Sequence, residues 1–191
     1  IWHYHPQFEL TLTVNARGQR YIGDHLGNFE PGDLVLVGPN LPHTWSASER
    51  IDATQPMLAV VVWFSLEWIT QLAGVLPELH SLRQLAQRAG PALQFTPQVA
   101  ARSAAMLLQL QAMPQPQRLP LLLNVLLELA GDLQARPLAS GALQLIAADG
   151  QQKRMAAVLD HMHQHFREDI AVEDLAQRAA LSLGAFHRFF K

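Results

Sequence analysis

The first fourteen residues constrain this chain more than any other stretch, because their side chains alternate with period two. Trp2, Tyr4, Phe8, Leu10, Leu12 and Val14 fall on one parity, and His3, His5, Glu9, Thr11 and Thr13 on the other. Successive side chains of a strand point to opposite faces, so the spacing predicts one apolar face and one face carrying two imidazoles, a carboxylate and two hydroxyls. Two histidines and a glutamate on one sheet face become a metal-ligand set when a further donor converges on them. His43 is the candidate, arriving after the Gly- and Pro-rich turn Gly38-Pro39-Asn40-Leu41-Pro42. Trp45 shares the parity of His43 and, with Thr11 and Thr13, is expected to line an effector pocket beside the donors. Tyr21 and Trp63 are assigned to aromatic core packing.

Residues 1–14, 19–26, 32–37, 43–47 and 57–64 read as strands separated by turn residues, and 92–95 as one more short strand. Leu58–Phe64 is a continuous apolar run, the pattern of a strand buried on both faces. Many short strands between turns suit an antiparallel barrel or double sheet. From about residue 66 the period changes to that of helices, with Thr96-Pro97 a helix start. In the helix expected over about 117–134, Leu119, Leu122, Leu126, Leu129 and Leu133 recur at spacings of three and four. Leu123 and Leu127 add a second stripe. One antiparallel neighbour covers only one stripe, so the five-leucine seam is expected to form a homodimer interface rather than only to pack on the helix before it.

Residues 136–152 are short, mixed and rich in small residues, which reads as a linker after a first domain of residues 1–135 (barrel 1–64 plus 92–95, helices 66–134). Residues 153–191 begin a second, all-helical domain. Lys153–Phe166 is amphipathic, Leu175, Ala176 and Ala179 mark a short helix, Ala180-Leu181 a tight turn, and Ser182 the cap of a further helix bearing Phe186, Phe189 and Phe190. That is a helix-turn-helix, whose second helix would present Ser182, Leu183, Gly184, His187, Arg188 and Lys191 to a DNA major groove. His161, His163 and His165 cannot converge from one helix and read as a solvated face.

Two resemblances follow from these motifs. His3-x-His5-x3-Glu9 with Gly32-x5-Gly38-x-Asn40-x2-His43 resembles the two motifs of the cupin superfamily of small β-barrels, in whose metal-binding members these positions are ligands. Gly18 stands two places later than that family's glycine, Gly38 replaces its proline, Asn40 its glycine and Ala47 its asparagine. Asn40 is a mild change, since Asn tolerates left-handed backbone. The run Val172-x2-Leu175-Ala176-x4-Leu181-Ser182-x3-Phe186-x-Arg188-x-Phe190-Lys191 resembles the first helix-turn-helix of the AraC/XylS family of bacterial transcription regulators, with Ala180 where glycine is frequent. That family's order of sensor barrel, dimerising helices, linker and DNA-binding domain is the order found here. The resemblance implies an α+β chain with an N-terminal antiparallel cupin-like β-barrel and following helices, then an all-α helix-turn-helix segment. It also implies a cytoplasmic homodimer that binds double-stranded DNA and a small-molecule effector, without catalysis.

Composition adds bounds. The 191 residues are 49% hydrophobic with a formal net charge of −2, so bulk charge does not draw the chain to polyanions. Residues 151–191 hold six Lys and Arg against five Asp and Glu, so the case for DNA rests on the motif rather than on charge. There is no cysteine, which excludes disulfides and thiolate metal sites, and no apolar run of membrane-spanning length. Three imidazoles and one carboxylate would suit Zn, Ni, Mn or Fe. Against the metal site stands a polar, hydrogen-bonded pocket lining. Against the regulator stands a metal-dependent cupin enzyme, an oxygenase or isomerase of a small polar substrate. The chain opens on Ile1 within a strand and closes on Lys191 within a helix, so it is expected to be a piece of a longer one, with a second helix-turn-helix beyond.

Overall fold

The computed structural model describes residues 2–140, 154, 157–158, 161–162, 165 and 168–189, the last two as backbone alone. The chain divides into two compact units, Ile1–Leu143 and Gln144–Lys191. The expectations for Met155, Leu159, His163, Phe166, Phe190, Lys191 and most of the 136–152 linker lie outside the described residues.

The first unit is α+β. Its order is β1 (Phe8–Val14), β2 (Ala16–Ile22), β3 (His25–Phe29), β4 (Leu34–Val37), β5 (His43–Arg50), β6 (Leu58–Phe64), α1 (Leu66–Val75), a 3-10 turn (Pro77–Leu79), α2 (His80–Arg88), β7 (Leu93–Gln94), α3 (Pro97–Ala112), α4 (Gln115–Gly131) and β8 (Arg136–Pro137). The strands form two antiparallel sheets, β6-β1-β4-β7-β8 and β3-β2-β5. Among the described residues no ladder joins an edge of one sheet to an edge of the other. The expected barrel is therefore a pair of facing sheets rather than a closed one.

The alternation of β1 decides what each sheet face does. Phe8, Leu10 and Leu12, with Leu34, Leu36, Val60 and Phe64, pack against the helices in the larger core. Glu9, Thr11 and Thr13 face the other way, between the sheets. At one end of that inner space Ile22, Val35, Val37, Leu41 and Ala92 form a second apolar cluster. Arg20 reaches across it to Asp33, Nη1 to Oδ2 2.6 Å, and Gln94 donates to the other carboxylate oxygen at 2.8 Å. Burial pushes the Asp33 carboxyl up, and Arg20 and Gln94 pull it back.

Three expectations need correction. β6 is an edge strand, not one buried on both faces: Ala59, Val61 and Trp63 are exposed on one face, and Val60, Val62 and Phe64 of the other parity join the core, with Leu58 exposed at the strand's start. An unbroken apolar run masks the alternation because the exposed positions are apolar too. Residues 136–140 are not linker. Arg136–Pro137 pairs with β7, Ala139 is buried, and Ser140 donates its N–H to Asp24 Oδ1 at 2.9 Å. Finally, Leu126 and Leu129 are sealed in the protein's own core, so they do not form a dimer seam. Two helices, α2 and α3, pack on α4 rather than one, and together they cover that part of the stripe. Leu119 and Leu133 remain exposed and Leu122 half-buried.

In the second unit, α5 (Val172–Arg178) and α6 (Leu183–Phe189) enclose Leu175, Ala176, Ala179 and Phe186, with Val158 buried beside them. The connection has a defined chemistry. Ala180 takes φ 51°, its N–H bonds Gln177 O at 3.0 Å, and Leu181 N–H bonds Ala176 O at 2.9 Å. Those two bonds are the Schellman pattern that closes a helix, with alanine at the position usually given to glycine. Ser182 Oγ then accepts from Ala185 N–H at 3.3 Å, capping α6.

Candidate metal centre

Glu9 is the hub of the inner face. It is 4% exposed, and both its oxygens are engaged. Thr11 Oγ1 donates to Oε1 at 2.7 Å, Trp63 Nε1 donates to Oε2 at 2.8 Å, and His5 Nε2 lies 3.0 Å from Oε2. His43 Nε2 stands 3.4 Å and His3 Nε2 4.0 Å from the same oxygen. Burial alone would push this carboxyl up. The rings of His43 and His5, the Thr11 hydroxyl and the Trp63 indole outweigh it and hold Glu9 well below the usual carboxylate range. Glu9 is thus a fixed anion.

The histidines arrive by different routes. β1 begins only at Phe8, after a bend at Pro6-Gln7, so His5 reaches Glu9 across that bend rather than along one strand. His3 and His43 form an antiparallel bridge, with N···O distances of 3.1 and 2.9 Å, which sets their rings 4.4 Å apart. The turn before His43 depends on two residues. Asn40 takes φ 60°, as its tolerance of left-handed backbone allows, and a Cβ on Gly38 would lie 2.6 Å from the carbonyl oxygens of Ala89 and Gly90.

The tautomers follow from the carbonyls behind the rings. His43 Nδ1 is 2.7 Å from Leu41 O and His5 Nδ1 is 3.1 Å from Gln7 O. A carbonyl only accepts, so each Nδ1 carries the proton in the neutral ring and each Nε2 turns a lone pair towards Glu9. His43 Nε2 is buried and makes no hydrogen bond. Lone pair facing carboxylate repels unless a proton or a metal cation stands between; a proton on one imidazole serves one contact, whereas a divalent ion meets that need at all four groups together. The four donor atoms lie within 4.8 Å of one another, near the ~4 Å breadth of a coordination sphere built from bonds of about 2.0–2.2 Å. Backbone carbonyls holding the far nitrogens are the usual second layer of a metal site. His3, His5, Glu9 and His43 therefore form a group that can hold a metal ion.

A cavity of about 360 Å³ adjoins the donors on the side of His3 and Glu9. Thr11, Thr13 and Trp45 line it, together with Phe29, Met57 and Val61. Trp63 and the β6 wall of this cavity are what the sequence reasoning missed. Ladder pairing supplies them: Glu9 stands opposite Trp63, Thr11 opposite Val61, and Thr13 opposite Ala59. Directly opposed residues share a face.

In the second unit Ser182, Leu183, Gly184 and His187 are solvent-exposed along α6. The Arg188 side chain and Lys191 lie outside the described residues. The rings of His161 and His165 lie 4.4 Å apart and tilted by 44°, and His165 Nδ1 is 3.0 Å from Glu168 Oε2.

No protein-family model matches the chain, and no curated protein matches it. Among solved structures, the crystal structure of the AraC-like transcriptional activator CuxR is similar with a TM-score of 0.46 and 10% identity, over 97% of this chain. The chain spans 61% of the length of that protein. No helix among the described residues is long and apolar enough to cross a membrane.

Proposed function

We propose that this protein is a DNA-binding transcription regulator whose first unit senses a metal-assisted small-molecule effector and whose second unit reads promoter half-sites, as a cytoplasmic homodimer. The observation that carries the reading is the α5–turn–α6 arrangement. Its Schellman closure and Ser182 cap hold two short helices over a common core while Ser182, Leu183, Gly184 and His187 stay open to solvent. A helix presented in that way suits a major groove. Zn, Ni, Mn or Fe would be held by His3, His5, Glu9 and His43. Its charge would set the affinity for an effector in the neighbouring cavity, and the histidines would hold a ligand rather than turn one over. Leu119, Leu122 and Leu133 remain the residues available from the leucine series for a subunit contact. Catalysis on a small polar substrate suits the cavity less well, because Phe29, Met57 and Val61 wall it.

The test has two parts. Binding-site selection with the metal-loaded complete protein should return a duplex consensus, and His187→Ala should weaken binding to it without changing metal content. Elemental analysis should find metal in the wild-type protein and none in His3→Ala or His43→Ala. Selection that returns no consensus sinks the DNA reading, and equal metal in all three proteins sinks the site.

A further inference from the structure

We infer that the ligand of the inner cavity is a small 2-hydroxy or 2-oxo carboxylate with an apolar tail, held by its head at the metal centre and by its tail between the sheets. This deepens the proposed sensing role and rests on the four donors binding a metal.

Three features of the cavity select that class. The first is charge. Among its described lining residues there is neither lysine nor arginine, and the ionised group on its wall is the Glu9 carboxylate. Without a metal the described lining offers an anion no fixed positive charge. A divalent ion held by Glu9 and three neutral imidazoles leaves one net positive charge, and one carboxylate balances it. Four protein donors close a tetrahedral set but leave two positions on an ion that prefers six, which matches a head with two oxygens. The cavity meets the donors at His3 and Glu9, so a head there approaches from the open side.

The second feature is the state of the two wall hydroxyls that β1 contributes. Thr11 Oγ1 is committed to Glu9, and Thr13 Oγ1 to the carbonyls of Glu30 and Asp33 at 3.1 and 3.4 Å. Around them stand Phe29, Met57 and, beside Thr11 on the same sheet face, Val61. A polyol such as a sugar would bring several hydroxyls against apolar side chains, leaving them unpaired at a cost no metal contact at one end could offset. An alkyl chain meets those walls without loss. The third feature is size. At about 360 Å³ the space is near the lower limit of ligand pockets and holds about twelve groups the size of a water molecule, at ~30 Å³ each.

The experiment is calorimetric titration of the full chain with 2-hydroxyhexanoate, 2-hydroxybutanoate, 1-hexanol and glucose, each with the protein loaded with Ni²⁺ and stripped by chelator. Metal content is measured separately on every sample. The loaded protein should bind 2-hydroxyhexanoate at least tenfold more tightly than the stripped protein. It should bind 2-hydroxybutanoate roughly tenfold more weakly than the longer acid, for two fewer buried methylenes, and should bind neither hexanol nor glucose. Ala59→Trp, on the exposed edge strand at the cavity wall, should weaken the acid at least tenfold while retaining one metal per chain. Equal affinity for the acid with and without metal, no effect of Ala59→Trp, or preference for glucose would each overturn the inference and leave the metal reading standing. Absence of metal uptake by wild-type protein would overturn both.

Discussion

At the scale of the residue, the centre is governed by what holds Glu9 and what closes two turns. Thr11 gives its hydroxyl to Glu9 Oε1 and leaves Oε2 to the Trp63 indole and the imidazoles. Thr11→Val keeps the shape and removes that donor. It should lower metal affinity about 10- to 100-fold, as loss of an orienting partner does elsewhere, and stability by about 1 kcal/mol; competition against a chromophoric chelator and urea unfolding measure the two. Ala180 is held at φ 51°, where a Cβ is strained. Ala180→Gly should therefore stabilise the second unit by about 1 kcal/mol, read as an upward shift of its unfolding midpoint; no shift would mean the turn relaxes out of that region. Both features bear on what a sequence can disclose. Motif spacing anticipates that His3, His5, Glu9 and His43 come together, although strand parity does not deliver His3 and His5, which precede β1 across the Pro6-Gln7 bend; the left-handed Asn40 is legible from the residue type. Trp63 is not, because its tie to Glu9 comes from the β1–β6 register, and no periodicity in one strand states which strand lies beside it.

At the scale of the element, α4 shows how a seam can mislead. Its leucine spacing is genuine, yet Leu126 and Leu129 are buried by α2 and α3 in the protein's own core. Leu126→Ala should cost 2–5 kcal/mol, about the range for emptying a sealed leucine site. Leu119→Ser, on the exposed end of the same helix, should stay within about 0.5 kcal/mol. If a subunit contact uses Leu119, light scattering should show that variant shifting towards monomer. A large loss of stability at Leu119 would reverse the assignment. The Arg20–Asp33 pair makes the complementary point between sheets. Arg20→Met leaves a buried carboxylate without its cation and should cost about 3–5 kcal/mol, most of it recovered when Asp33 becomes leucine as well. Strand and helix positions were mostly legible from period and turn residues. Sheet closure, the exposed face of β6 and the strand at Arg136–Pro137 were not, since all three depend on partners distant in sequence.

At the scale of the whole molecule, the regulator reading makes a claim stronger than the coexistence of two sites in one chain. The order of a donor-bearing α+β unit followed by a helix-turn-helix was legible in the sequence, but order alone does not couple them. If metal, with or without effector, changes DNA affinity by some factor, then DNA must change metal affinity by the same factor, because both ligands act on one set of conformational states. Coupling of ordinary size, about 1–3 kcal/mol, corresponds to roughly 5- to 150-fold. The selected duplex should therefore shift the chain's Ni²⁺ dissociation constant at least fivefold. A scrambled duplex at the same salt should not, which separates specific coupling from the salt-dependent attraction of any DNA. Should the chain bind both metal and its duplex while each affinity ignores the other ligand, the metal would serve the fold of the first unit alone. Sensing would then have to act through the cavity without the metal's help.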